Sequence, residues 1–354
     1  MLRLPKGLKI KRHAVLVMTK KKKDLFWTLG TAGVLILLSA AAVTMGRYSV
    51  SMEELAAVFF PSFFKSVNPA PAVYDVIFNI RMPRVILAVL AGAGLAVSGG
   101  AFQAIFSNPL ATPDTLGVAT GASFGAVLGI LLGLPSSAVQ LFALLSGLAA
   151  VAIVYFVSKV RGSSSIIMII LAGMVVSALF SALVSMVKFT AEPQDVLPAV
   201  TFWLMGSLSS ATKKTLAIGS PLIIAGTFTI YLLRWKLNAM TLSEDEALSL
   251  GIPVKVIRMA VITSAAMITA SVVSMCGLIG WVGLLIPHMA RMIFGNDNRY
   301  VIPASVGFGG IFMLVIDTVA RCAMPSEIPA SILTSVIGAP FFIALLRRTG
   351  GIKA

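Results

Sequence analysis

The segment from Leu242 to Pro253 reads Leu-Ser-Glu-Asp-Glu-Ala-Leu-Ser-Leu-Gly-Ile-Pro. Ser243 is suited to cap a helix, and Glu246, three residues on, can return the favour to the free N–H of Ser243. Gly251 fits the left-handed position after a helix end, and Pro253 prevents continuation. Residues 240–254 are therefore expected to form a loop holding one short helix. Such a helix is either a plain connector or a handle that a partner protein grips. The residues that would carry the second role are Ser243, Glu244, Glu246, Ala247, Leu250 and Gly251.

Arg81, Arg84 and Arg321 form a second group. Arginine offers a planar fork of donors to carboxylates, so three of them at one membrane face could hold an acidic partner. The competing use is anchorage, with the guanidinium groups reaching lipid head groups. Asp317 stands one helical turn before Arg321 and could orient it. A third group holds Gln103, Asn108, Pro109, Pro287 and His288. A proline inside an apolar stretch stops or breaks a helix, and Asn can satisfy the freed backbone groups. These positions are read as helix breaks or as points on a solute path.

Other chemistries lack their residues. No phosphate-binding Gly-rich loop ending in Lys-Ser/Thr is present, so nucleotide hydrolysis must belong to another chain. No nucleophile–base pair has a plausible spacing. His13 and His288 are the two histidines, and Cys276 and Cys322 sit apart in apolar segments, which is too little for a metal site. No cofactor bound by this chain is expected.

The elements that position these groups are membrane helices. Of 354 residues, 58% are hydrophobic and 12% charged, against about 25% charged in soluble domains. A chain of this composition needs lipid as its solvent. The net charge of +15 fits cations gathered at cytoplasmic helix ends, and no basic stripe with interleaved aromatics speaks for nucleic acid. The expected fold is an all-α polytopic membrane protein of about ten transmembrane helices. Their limits are near 26–46, 84–106, 114–134, 138–158, 165–187, 215–234, 255–276, 278–294, 301–322 and 332–347. Residues 1–25 form a basic tail and residues 26–350 a single transmembrane domain.

Ten spans place both termini on one side. The nine cations before residue 25, with Lys159, Arg161, Arg234, Lys236, Arg299, Arg347, Arg348 and Lys353, make that side the cytoplasm. Arg47, Lys65, Arg81, Arg84, Lys188, Lys213, Lys214 and Arg321 then lie outside. Residues 47–80 and the apolar run Val196–Leu208 are expected as external elements, the latter dipping into the membrane. Gly117, Gly121, Gly125 and Gly129, at four-residue spacing, make a helix-packing seam. Asp317 is the one acid deep in a span, whereas ion-coupled secondary carriers usually keep several. That carrier class is the main rival reading. A membrane enzyme would need clustered catalytic groups, which are absent.

Taken in order, Arg81-Met82-Pro83-Arg84, Gln103, Asn108-Pro109-Leu110-Ala111-Thr112-Pro113, Leu116-Gly117-Val118, Gly251-Ile252-Pro253, Gly283 to His288, Asp317-Thr318 with Arg321, and Glu327-Ile328-Pro329 with Gly338-Ala339-Pro340 resemble one family. It is the permease family of ATP-binding-cassette (ABC) importers for iron–siderophores, haem and vitamin B12. The resemblance runs from about residue 80 to the C-terminus. It implies ten helices per subunit in a bacterial or archaeal cytoplasmic membrane. It also implies a second permease subunit, like or unlike the first, ATPase subunits that use ATP and Mg, and an extracytoplasmic solute-binding protein. It implies an ATPase contact at the 240–254 loop and an arginine–carboxylate docking surface outside. An iron–siderophore complex is the expected solute, with haem, vitamin B12 and oxyanions such as molybdate as alternatives.

Overall fold

A computed structural model describes residues 27, 29–46, 48–64, 66–159 and 165–348. The basic tail 1–25, Arg47, Lys65, Arg161 and Lys353 lie outside the described residues. The described chain is helical throughout. In order, its helices are α1 (Leu29–Thr44), α2 (Met52–Phe59), α3 (Pro71–Asp75), α4 (Met82–Ile105), α5 (Val118–Leu131) and α6 (Ser136–Ser158). Then come α7 (Ile166–Thr190), α8 (Val196–Leu204), α9 (Lys213–Leu237), α10 (Glu244–Ser249), α11 (Val254–Cys276), α12 (Val282–Phe294), α13 (Asn298–Cys322) and α14 (Ala330–Arg348).

Six helical stretches are long and apolar enough to cross a membrane, and four shorter apolar helices accompany them. Together they are the ten expected spans. The second span differs at its start. Pro71 opens a helix that runs unbroken to Ile105, through a π-helical turn at Val76–Arg81. The cause is Pro83, which has no N–H and crowds the carbonyl four residues back. The wider turn, in which the Met82 amide reaches the Ile77 carbonyl, absorbs it. Outside the spans, α2 carries a capping box between Ser51 and Glu54, and α8 is the expected short apolar helix.

α4 and α11 are the most buried spans, while α6, α7 and α9 turn much of their surface outward. Lipid tails are as apolar as leucine, so helices here associate through close packing rather than the hydrophobic effect. Glycines supply it. A Cβ at Gly92 would overlap the Gly309 carbonyl oxygen, and one at Gly99 the Gly283 carbonyl oxygen. α4 thus lies backbone to backbone against α13 and α12. The expected seam joins α5 to α6: Gly121 faces Ala150 and Ser146, Gly125 faces Phe142, and Gly129 faces Val139. Gly117 instead starts α5 with a left-handed backbone, φ 73°.

Consecutive spans alternate in direction. The end of α1, the start of α4 and the end of α13 meet at one end of the bundle, which the charge pattern makes the outer one. The end of α9 meets the start of α13 at the inner end, where Asn238 donates to Asp297 at 2.7 Å.

Candidate functional site

At the outer end, Arg84 pairs with two acids. Its Nε lies 2.8 Å from Asp317 Oδ1, and its Nη1 lies 2.9 Å from Glu327 Oε1. Asp317 is fully buried on α13, and its second oxygen stands 3.7 Å from Arg321 Nε one turn later. Arg321 also donates to the carbonyls of Met45 and Ala42. Arg81 donates to the carbonyls of Val43, Thr44 and Tyr48. The last carbonyls of a helix have no partner within it, so Arg81 and Arg321 together close off the end of α1.

This geometry corrects the expectation of an open arginine ring. Arg81, Arg84 and Arg321 are 4%, 8% and 8% exposed, and their guanidinium groups are turned inward. The reason is energetic: a guanidinium at a membrane-embedded helix end is held best where carbonyls and carboxylates replace its water. The local spacing showed the Asp317–Arg321 turn, but Arg84 reaches Asp317 and Glu327 only through the fold.

At the inner half of the bundle, α4 meets α12. Gln103 donates weakly to the carbonyls of Gly283 and Leu284, at 3.4 Å each, and accepts from Arg291. Pro287 does not break α12, which runs from Val282 to Phe294. That overturns the helix break expected there. The missing N–H of Pro287 leaves the Gly283 carbonyl, four residues earlier, without its helical donor, and Gln103 takes the place. The chain turns earlier, where Gly277 and Trp281 have φ of 69° and 71°. His288 is half-buried beside Pro287. Asn108-Pro109 form the expected turn: Ser107 takes a left-handed backbone, the Asn108 amide reaches the Gln103 carbonyl, and Asn108 Oδ1 accepts from the Leu110 amide.

α10 has the local geometry read from its residues. Ser243 and Glu246 form the reciprocal capping box. Gly251 has φ 73°, and the Ile252 amide bonds back to the Ala247 carbonyl at 3.1 Å. Ser243 holds the Glu246 carboxyl below its ordinary pKa by hydrogen bonds from its hydroxyl and its amide. Glu244 pairs with Arg258 of α11 at 3.1 Å, which ties the short helix to a central span. Leu248 and Leu250 stand exposed on it. Ala247 is buried and faces the protein, so it anchors the helix and presents no surface.

Two features lay outside the sequence reading. Asp297, the N-cap of α13, accepts from Asn238, 59 residues away, and from Arg299. No local spacing signals that latch. The other is a junction at the outer end, where the Ser207 amide donates to the Cys276 carbonyl and the Ala330 amide to the Gly206 carbonyl. It ties the end of α8 to α11 and α14. Trp203 and Met205 lie there, and Ser331 of α14 donates to the Met205 carbonyl. Among the described residues, no three metal-ligating side chains converge, and Cys276 and Cys322 are free thiols.

The profile of the FecCD transport family matches residues 34–348. The molybdate import system permease protein MolB of Haemophilus influenzae is 36% identical over 320 residues, 90% of this chain and 94% of that protein. The hemin transport system permease protein HmuU of Yersinia pestis is 34% identical, across 89% of this chain and 93% of its own length. A solved metal-chelate-type ABC transporter in an inward-facing conformation superposes with a TM-score of 0.82 at 36% identity, covering 91% of this chain and 98% of that one. The chain belongs to the FecCD transport family: it is a multi-pass membrane permease of an ABC importer and not itself the ATPase.

Proposed function

We propose that this permease carries an iron–siderophore complex into the cytoplasm, working as one of two permease subunits. A solute-binding protein delivers the load outside, and ATPase subunits using ATP and Mg drive the cycle. The observation that carries the coupling half of this reading is α10. It is capped at both ends, tied to α11 through Glu244 and Arg258, and leaves Leu248 and Leu250 exposed. A rigid helix with an apolar exposed edge transmits a push from a partner, where a flexible loop absorbs it. ATP binding then shifts the permease between two states that open to opposite sides.

The substrate half is supported by relatives named for iron loads, among them the Fe(3+)-citrate import system permease protein YfmE of Bacillus subtilis, 34% identical over 333 residues. The similarity to MolB favours a second reading, in which the solute is molybdate. Proteoliposomes holding the permease, its ATPase and its binding protein distinguish them. The expected result is ATP-dependent uptake of a ferric siderophore and none of molybdate. Molybdate uptake alone would reverse the substrate assignment. Active uptake by the permease alone on a proton gradient would sink the ATP-driven reading.

A further inference from the structure

α1, α2 and α4 do not close on one another near the outer end. Along α4, Met82, Val85, Ile86 and Val89 recur three and four residues apart, and Met52, Leu55, Ala56 and Phe59 do the same along α2. Apolar stripes at that spacing normally bury against a neighbouring helix. Here α1 meets them with the small residues Ser39 and Ala40, and a groove of about 710 Å³ stays open between the three helices. Packed protein keeps few voids larger than a water molecule, so a gap of this size needs an occupant.

The lining selects that occupant's chemistry. Among the described residues no charged side chain lines the groove, and Ser39 supplies its one hydroxyl. Head groups, ions and polar solutes find no partners there. Ile36, Phe60 and Ile86 line the groove and remain exposed. Since α1 and α4 are spans, the groove is continuous with their lipid-facing surface.

Its depth matches one leaflet. The groove runs from Val43 to Leu35 on α1 and from Met82 to Leu90 on α4, about 12 Å on each at 1.5 Å per residue. The hydrocarbon of one leaflet is roughly 15 Å deep. Val43 and Met82 lie at the outer ends of their helices, so that leaflet is the outer one.

We propose that this groove is a phospholipid site. One acyl chain of an outer-leaflet phospholipid lies between α1, α2 and α4, with its head group beyond Val43 and Met82 at the membrane surface. The acyl chain completes the packing that Ser39, Ala40 and Ala56 leave unfinished. It thereby ties α2, which is not a span, to two helices that are. The site takes no part in carrying solute and stands whatever the cargo.

The test is native mass spectrometry of the full chain extracted in mild detergent. The unaltered protein should retain one phospholipid. Ala40→Trp fills the groove and should lower that occupancy about tenfold. Ile224→Trp, on the exposed surface of α9 and away from the groove, should leave it unchanged. Should Ala40→Trp fail to fold, titration of the delipidated, unaltered protein decides. Dioleoylphosphatidylcholine should bind one per chain and raise the Tm, and glycerophosphocholine, which keeps the head group and lacks the acyl chains, should do neither. No retained phospholipid, equal occupancy in the two variants, or equal effects of the two probes would each overturn the proposal. So would a pair of chains that separates in Ala40→Trp, which would give the groove to a second copy.

Discussion

Arg84 on α4 and Asp317 on α13 form a 2.8 Å ion pair across 233 positions of sequence, with the carboxylate fully buried. The pair joins the start of one span to the end of another. Through Arg321 and Arg81 the same cluster reaches the end of α1. These contacts tie the outer ends of three spans together.

Breaking that pair from one side should be costly. Asp317→Ala leaves Arg321 without its carboxylate and Arg84 with Glu327 alone, a loss of up to about 3–5 kcal/mol. The double variant Arg84→Ala with Asp317→Ala should cost less than the sum of the two single changes. Thermal unfolding in detergent measures both. Strict additivity would show that the two residues do not support each other. Because all three arginines face inward, Arg81→Ala and Arg321→Ala should lower stability first, with any loss of binding-protein docking following from it.

The glycine contacts predict a sharp contrast. Gly99→Ala and Gly92→Ala place a Cβ against backbone carbonyls of α12 and α13, which cannot move aside as a side chain would. Each should cost at least about 1–3 kcal/mol and reduce the yield of folded protein. Gly33→Ala, with nothing within 4 Å of the added Cβ, should be neutral or slightly stabilising. Fluorescence-detected size-exclusion profiles after a heat step rank the three. Equal behaviour would remove close backbone packing as the basis of these interfaces.

Gly251 tests the role of α10. A Cβ there meets open space, so any effect comes from the φ of 73° alone. Gly251→Val should cost about 1 kcal/mol and tilt or fray the helix end. Expression should stay near normal while solute-stimulated ATP hydrolysis by the assembled importer falls. Unchanged coupling would make α10 a connector only.

Asp297 gives a pH signature. Burial pushes its carboxyl upward, but hydrogen bonds from Arg299 and Asn238 outweigh that and hold it at about 2, against an ordinary 3.8. A depressed carboxylate contributes stability that is fully present above the unfolded value and is lost as pH falls through the folded one. The contribution should therefore fade between about pH 4 and pH 2. Asp297→Asn should flatten the stability profile in that window, and the difference between the two proteins should be largest near neutral pH. Parallel profiles would show that the latch adds nothing to folding.

Ten apolar stretches, the capped helix at 243–251 and the turn at Asn108-Pro109 were all legible in the chain itself. Each depends on neighbours a few residues apart, where hydropathy, capping and proline chemistry act. The family motifs could be read the same way. The sequence alone misjudged what depends on distant partners. Three arginines near an outer face look like free cations until Asp317, Glu327 and the last carbonyls of α1 are brought against them. Pro287 looks like a helix break until Gln103, from another span, covers the carbonyl it frees. The latch at Asp297 has no local signal, because it is assembled from segments tens of residues apart. Local rules choose the helices; only tertiary packing decides which buried polar group finds which partner, because leaving one unpaired away from water is costly.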